Sequence, residues 1–288
     1  MDDKNYLIAK FRDKASQAWQ RDCLTHTNFL TSAEQATLKD LRRGAFAEAE
    51  RLDPAPVVLW GGYEEAERKI AVFLPSYMDK ESFLAGEGMS AAEAAVTTDS
   101  GETARPSAGG AKSVITCLLC KPLQARFADE LTHRDFLGAL MNLGLEREMI
   151  GDIVVDRDKS EAHIFVMTAQ AATIAKELTR IKHTSVMCEE VSPGSVEVQP
   201  AFEHVEGFVS SERLDVILSL VYKLSRSKSQ KLIEAELVTV DGRIVTSGGH
   251  DLKAGSRVTA RGYGKFIYDG IDGTSRKGKG RAKVRVFR

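Results

Sequence analysis

Residues 210–268 constrain the fold of this chain more than any other segment, because two helical patterns and a hairpin pattern follow one another there. In the first helical pattern, apolar residues recur at the spacing of one helix face, and Ser210 or Ser211 stands where an N-cap is expected. The segment therefore predicts an amphipathic helix as its first element. The apolar residues on that face are Leu214, Ile217, Leu218, Val221 and Leu224.

A second short helix and a β-hairpin are predicted next. The helix begins within residues 225–228, where Ser227 and Gln230 fit a capping box. Farther on, the turn pair Asp241-Gly242 separates two short apolar runs, which is a strong local signal for a two-residue hairpin.

The start of the second helix is predicted to bind phosphate. Arg226 and Lys228 lie there, where unpaired backbone N–H groups and the helix dipole also attract an anion. Tyr263, which stands between two glycines, is a candidate for stacking on an unpaired base, whereas Tyr222 is interpreted as core packing. The residues predicted to contact RNA are Arg213, Ser225, Arg226, Ser227, Lys228, Lys231, Arg243, Arg261, Tyr263, Lys265, Arg276, Lys277 and Lys279.

This segment resembles the S-four-type RNA-binding domain, a small αL-motif module. The sequence from Arg261 to Phe266 narrows the resemblance to the YlmH-like bacterial RNA-binding proteins, and residues 131–155 are similar to the central signature of that family. The resemblance covers 117–288 strongly and 1–85 loosely. The matching positions are Arg213-Leu214-Asp215, Ser225-Arg226-Ser227, Lys231, Val238, Val240, Asp241-Gly242, Val245 and Leu252-Lys253-Ala254-Gly255.

Three positions depart from the family pattern. Glu236 replaces the usual glycine, Asp241 the usual asparagine, and Ser256 the usual aspartate. The resemblance implies a partner on the ribosome: rRNA of the large ribosomal subunit together with tRNA, and specifically a stalled peptidyl-tRNA in ribosome quality control.

The charge distribution supports a nucleic-acid partner at one end of the chain. Residues 210–288 hold 17 Lys/Arg and 8 Asp/Glu, whereas the remaining residues hold 23 Lys/Arg and 33 Asp/Glu, although the whole chain has a net charge of only −1. Such asymmetry indicates that one end meets a polyanion. Seven cations and no acid follow Asp272, which predicts a basic tail.

The remaining patterns predict an α+β protein with an N-terminal α/β unit and a ferredoxin-like, RRM-like middle domain. Helices are expected at 4–24 and 32–50, and strands at Val57–Trp60 and Lys69–Leu74. From Val114 to Val191 the order is β-α-β-β-α-β, the ferredoxin-like plan. The expected domains are 1–85 (N-terminal unit), 86–112 (flexible linker or loop), 113–192 (ferredoxin-like domain), 193–208 (linker), 209–271 (S-four-type domain) and 272–288 (basic C-terminal extension).

Three short motifs have structural interpretations. Cys117 and Cys120 have metal-site spacing, but no second pair accompanies them, and a buried strand is predicted. His133 and Arg134 precede a helix that Thr132 or Asp135 would cap; they are either secondary RNA contacts or a polar cap without a ligand. The Arg213-Leu214-Asp215 triplet is similar to one in pseudouridine synthases, but only twenty residues follow Tyr268, too few for a catalytic domain.

The sequence thus predicts no catalytic residue, no metal or cofactor site and no small-molecule substrate. No apolar run approaches the roughly 20 residues of a membrane helix, and the start of the chain does not resemble a signal peptide. Four irregularly spaced cysteines fit a reducing cytoplasm. A non-enzymatic, cytoplasmic, ribosome-associated RNA-binding protein is expected, with an RNA-modifying enzyme or a cell-division accessory protein as the alternatives.

Overall fold

Helices and strands are mixed along the whole chain, which makes this an α+β protein. The computed structural model describes residues 3–42, 55–87, 113–156, 160–191, 202–275 and 278–287. These residues fall into two compact units, one within Met1–Thr31 and Leu38–Val198 and the other within Ser32–Thr37 and Gln199–Arg288. No helix in the described ranges is long and apolar enough to cross a membrane.

The N-terminal part of the first unit is a small antiparallel sheet with helices. The sheet order is β1-β3-β2, and an apolar stripe of the first helix, including Phe11 and Ala15, packs against it. The expected strand Val57–Trp60 and a helix at 4–24 are confirmed, while part of the helix expected at 32–50 and most of the linker expected at 86–112 lie outside the described residues. The elements are α1 (Asp3–Arg21), β1 (Thr25–His26), α2 (Ser32–Arg42), β2 (Val57–Trp60), β3 (Ile70–Phe73) and α3 (Lys80–Gly86).

The rest of the first unit has the predicted order of strands and helices. Its antiparallel sheet has the order β5-β6-β4-β8-β7. The helix expected at Gln170–Ile181 ends at Glu177, and a two-residue strand follows because the turn at Lys182, with φ of 50°, pairs that segment with the next strand. The elements are β4 (Ile115–Pro122), α4 (His133–Asn142), β5 (Ile150–Asp156), β6 (Glu161–Met167), α5 (Thr168–Glu177), β7 (Arg180–Ile181) and β8 (Thr184–Val191).

Both faces of this five-stranded sheet are covered at its centre. One face packs against α4 and α5 through Phe136, Leu140 and Ile174. On the other face the ring of Phe165 lies 4.7 Å from that of Tyr63, which belongs to the N-terminal sheet region. The Tyr63 hydroxyl also donates to Asp152 of β5 at 2.8 Å. The N-terminal part therefore occupies the middle of the sheet face.

The second unit contains two helices and a six-stranded antiparallel sheet of order β11-β10-β12-β13-β14-β9. The predicted hairpin is confirmed: Asp241 and Gly242 have φ of 50° and 82°, the left-handed conformation that a two-residue type I′ turn requires. The elements are β9 (Phe202–Val209), α6 (Leu214–Tyr222), α7 (Arg226–Glu234), β10 (Val238–Val240), β11 (Arg243–Ile244), β12 (Ser256–Ala260), β13 (Gly264–Thr274) and β14 (Gly280–Phe287).

The expected linker at 193–208 and the expected basic extension at 272–288 are wrong for the residues described there. β9 lies in the first segment and β14 in the second, and the two strands pair along their whole length. Ala282 and Val284 of β14 are buried in the core of the second unit. Apolar residues alternate with cations in β14, so one face of the strand enters the core although the segment as a whole is basic.

Two expected helix caps are also wrong. The N-cap of α6 is Arg213 rather than Ser210 or Ser211, and the first helical N–H, of Leu214, donates to the His250 carbonyl at 2.8 Å. α7 begins at Arg226 because the Ser225 hydroxyl accepts from the backbone N–H of Lys228. The box of Ser227 with Gln230 therefore does not form.

Candidate RNA-binding surface

A buried carboxylate joins the starts of α6 and α7. Asp215 is only 4% exposed, and its oxygens accept from Arg213 Nε at 3.0 Å and from Arg226 Nη2 at 2.7 Å. Burial by itself raises the pKa of Asp215, but the hydrogen bonds from Arg226 and Arg213 outweigh it and hold the pKa below its usual value. Both arginine side chains remain about half exposed. They are thus fixed in place while other N–H groups face solvent.

The start of α7 meets the turn between β12 and β13. The ammonium of Lys228 lies 5.9 Å from the centre of the Tyr263 ring, a cation–π distance. The Tyr263 ring is itself 5.4 Å from that of Tyr222, and Tyr263 keeps 36% of its surface exposed. This arrangement leaves the ring of Tyr263 partly open to a ligand beside the Lys228 ammonium.

Tyr222 lies under Tyr263 rather than on the surface. Its ring packs 5.9 Å from Phe266, its hydroxyl is buried, and burial raises its pKa to about 12. The interpretation of Tyr222 as core packing agrees with these contacts. The Tyr263 ring packs against this buried ring.

The predicted contact residues separate into groups. Seven of them lie around the start of α7 and the β12–β13 turn, and we call this group the α7 surface. Its members are Arg226, Ser227 and Lys228 at the start of α7, Lys231 one turn farther along, Arg261 and Tyr263 in the turn, and Lys265 at the start of β13. Arg243 is exposed on β11, an edge strand. Lys279 lies beyond the far end of β13, about 30 Å from Lys265 at the rise of an extended strand. Arg276 and Lys277 lie outside the described residues.

Three cations of the predicted tail are paired with acids on neighbouring strands. Arg285 bonds to Asp269 at 2.9 Å, Arg281 to Glu206, and Lys283 to Asp272. These pairs join β14 to its neighbours, so the three cations are parts of the sheet. No sequence signal at the tail indicated those partners, because they come from separate strands.

His133 and Arg134 lie at the start of α4, on the first unit. The helix begins with the predicted cap: Asp135 accepts from the backbone N–H of Thr132 at 2.8 Å. Lys182 also binds Asp135, at 2.8 Å. The β7–β8 turn thus lies beside the start of α4, a proximity that local sequence patterns could not reveal.

The short motifs with alternative chemical meanings are structural. Cys117 and Cys120 lie on opposite faces of β4, in two different apolar clusters, so they cannot share a ligand. Burial raises the pKa of Cys117 to about 12. Within the described ranges, no three His, Cys, Asp or Glu side chains are placed to hold a metal ion.

Comparisons with known proteins fit this order of units. The family described as "Putative RNA-binding domain in YlmH" matches residues 122–194, and the S4 domain family matches residues 212–258. The "Ribosome-associated protein quality control protein P2" of Bacillus subtilis (strain 168) is 27% identical over 225 residues, which are 77% of this chain and 74% of that protein. The chain thus contains a YlmH-type RNA-binding domain followed by an S4 domain. A solved structure, "Cell division protein ylmH from Streptococcus pneumoniae", aligns with a TM-score of 0.43 and 17% identity over 66% of this chain and 92% of that one.

The second unit, which we call the S4 unit, is larger than the segment that matches the S4 domain family. The match ends within β12, whereas Tyr263 and Lys265 of the α7 surface follow it. β13, β14 and β9 widen the sheet beyond the matched residues. His133 and Arg134 lie inside the match to the YlmH RNA-binding domain.

The three departures from the family pattern keep the local geometry of the S4 domain. Glu236 adopts φ of 58°, the left-handed conformation that glycine favours. The carboxylate of Asp241 accepts from the backbone N–H of Arg257 at 2.9 Å, and the Ser256 hydroxyl accepts from that of Lys253. The hairpin region is therefore formed despite the substitutions, with backbone strain at Glu236.

Proposed function

We propose that this protein binds folded RNA through the α7 surface. The observation that carries the proposal is the start of α7, where Ser225 caps a helix terminus that carries exposed Arg226 and Lys228, and where Lys228 lies beside the partly exposed ring of Tyr263. Helix N-termini attract phosphate through unpaired N–H groups and the helix dipole, and two nearby cations add to that attraction. An aromatic ring beside them can stack on an unpaired base.

Arg226 of the α7 surface and Arg213 at the start of α6 are both held by Asp215. Their hydrogen bonds to Asp215 fix the direction of each guanidinium group before RNA arrives. Because the geometry is already set, less side-chain entropy is lost on binding. Asp215 itself serves as an acceptor for two arginines, which supports a non-enzymatic role rather than a pseudouridine-synthase-like one.

The proposed RNA is on the large ribosomal subunit: rRNA together with tRNA, at a stalled peptidyl-tRNA in ribosome-associated quality control. The name of the Bacillus subtilis relative supports this location. We assign the ferredoxin-like plan to the middle domain from its strand order. We further propose that the protein is cytoplasmic and uses no cofactor or small-molecule substrate.

Reversing two lysines of α7 tests the proposal. We expect Lys228→Glu with Lys231→Glu to weaken binding of bulk tRNA and of rRNA by at least about tenfold, and to lower the slope of log affinity against log salt by about 2, because two phosphate contacts are lost. Both side chains are exposed, so folding should be unchanged. Filter binding over a salt series measures both effects.

The matched control reverses two other exposed helical lysines, Lys39→Glu and Lys176→Glu, which changes the net charge equally. It should bind almost as the unchanged protein does. If the two double variants lose affinity to the same extent, the effect is one of net charge, and the α7 surface is not the contact. Arg226 is a poorer choice for this test, since its replacement would also remove a partner of buried Asp215.

A further inference from the structure

We propose a second RNA contact on the first unit, where an unpaired nucleotide stacks on Phe127 and its phosphate meets Arg126 and the cations at the start of α4. This inference rests on the proposed function in that the partner is RNA, but it concerns a different surface. The surface consists of Leu123, Arg126, Phe127, Arg134, Lys182 and His183, and we call it the Phe127 patch.

Its central feature is an aromatic ring held in solvent. Phe127 is 76% exposed and Leu123 is 59% exposed, both in the connection between β4 and α4. Two large apolar side chains exposed in one short connection form a candidate interaction site, whereas apolar side chains scattered singly over a surface are ordinary. The guanidinium carbon of Arg126 lies 5.9 Å from the Phe127 ring. A base on that ring would thus have a cation at its side.

The connection that carries Phe127 is fixed by hydrogen bonds. The N–H of Leu123 donates to the Ser185 carbonyl at 2.9 Å, and the N–H of Asp129 donates to the Thr184 hydroxyl at 2.7 Å. Between them, residues 125–127 form a single 3-10 turn. The exposed ring therefore belongs to a segment whose backbone is held by hydrogen bonds, so less conformational entropy is lost when a ligand binds.

The cations are gathered by the carboxylates beneath them. Asp135 holds Lys182 at 2.8 Å, and Asp129 accepts from the backbone N–H of His183 at 3.0 Å. Arg134 is exposed in the first turn of α4, next to this pair of contacts. Together with exposed Glu130, these acids balance Arg126, Arg134 and Lys182, so the patch has no net charge when His183 is neutral. Stacking rather than net charge should dominate the binding here.

The sheet itself offers no comparable aromatic contact at its centre. Phe165 is fully buried under Tyr63, so a base cannot reach it. Single-stranded RNA modules that bind on a sheet need such a ring to be open. Within the described part of the middle domain, an exposed phenylalanine beside arginine is found at the end of the sheet, in the β4–α4 connection.

Replacing the ring tests the inference. The probes are an RNA hairpin with an unpaired loop and a blunt duplex of the same stem, and the measurement is fluorescence anisotropy with the full chain. Phe127→Ala should weaken hairpin binding about tenfold, because a stacked base is lost, and should leave duplex binding unchanged. Phe127→Trp should restore hairpin binding. The loss should persist at higher salt, since stacking is not screened.

Tyr77→Ala is the matched control, because Tyr77 is 70% exposed elsewhere on the same unit. It should bind both probes as the unchanged protein does. If Phe127→Ala behaves like Tyr77→Ala while Lys228→Glu with Lys231→Glu loses affinity, the second contact is wrong and the proposed function stands. If neither variant loses affinity, both proposals are wrong. Equal losses for hairpin and duplex would also overturn stacking on Phe127.

Discussion

At the scale of single residues, a buried carboxylate of the S4 unit links the starts of two helices, α6 and α7. Asp215 is buried, and Arg213 and Arg226 together supply three N–H groups to its two oxygens. A paired carboxylate of this kind is more acidic in the folded state than in the unfolded one. Its stabilising effect is complete above the ordinary aspartate pKa near 4 and is lost as the pH falls below that value toward the folded pKa.

We therefore expect Asp215→Asn to lower the free energy of unfolding by about 2 kcal/mol at pH 7, because hydrogen bonds to a charged group are weakened. The difference from the unchanged protein should shrink as the pH falls below about 4, because the Asp215 carboxyl of the unfolded chain then binds a proton that the native carboxylate takes up only at lower pH. Urea unfolding at the two pH values measures this. Glu177→Gln, at an exposed helical position, should change little at either pH. If the difference in unfolding free energy is the same at both pH values, it comes from the shape of the side chain and not from its charge.

Glu236 adopts a left-handed backbone conformation that residues other than glycine disfavour. A non-glycine residue in the left-handed region costs about 1 kcal/mol, and Glu236 has φ of 58°. We expect Glu236→Gly to raise the free energy of unfolding by about 0.5–1 kcal/mol, as measured by urea titration. The neighbouring Ala235, with φ of −81°, is the control, and Ala235→Gly should lower stability. If both glycines destabilise, strain at Glu236 is absent.

At the scale of elements, local signals predicted what is local. The Asp241-Gly242 turn gave the hairpin because its two residues alone set the turn type. Apolar periodicity likewise predicted the strands and helices of the middle domain, except the two-residue strand β7. β9 and β14 were missed because they pair with each other although the matched S4 residues separate them in the sequence. In addition, the alternating cations of β14 made the segment look basic, so that its apolar face was not recognised.

The same limit applies to the candidate site. Arg226 lies eleven residues after Asp215 in the next helix, so no helical spacing connects them. Their contact appears only when α6 and α7 pack, with Ser219 and Ser229 3.0 Å apart between them. The tail cations were predictable as charges but not as members of a strand. A test of their RNA contacts must therefore use substitutions, since deleting 273–288 removes a core strand.

At the scale of the whole molecule, positive charge is concentrated in the part of the chain that forms the S4 unit. Residues 210–288 hold 17 Lys/Arg against 8 Asp/Glu, and among the described cations Lys265 and Lys279 lie near opposite ends of β13. An RNA that meets the α7 surface and the turn near Lys279 together must extend about 30 Å, the length of nine extended residues. A folded rRNA or tRNA meets that requirement, whereas a short single strand does not do so without being ordered.

We therefore expect the full chain to co-sediment with free large ribosomal subunits, preferentially with those that carry peptidyl-tRNA, and to dissociate as salt rises. Replacing Arg276, Lys277 and Lys279 by Gln should lower the salt slope by up to about 3, because up to three phosphate contacts are lost, and should leave the fold intact. Circular dichroism checks the fold, and sucrose gradients over a salt series measure the slope. The Lys39→Glu, Lys176→Glu protein, whose net charge falls by 4 rather than 3, serves as a more severe control for net charge. If the full chain stays at the top of the gradient at low salt with tRNA-loaded subunits present, the ribosomal location is wrong, and RNA binding through the S4 domain is what remains.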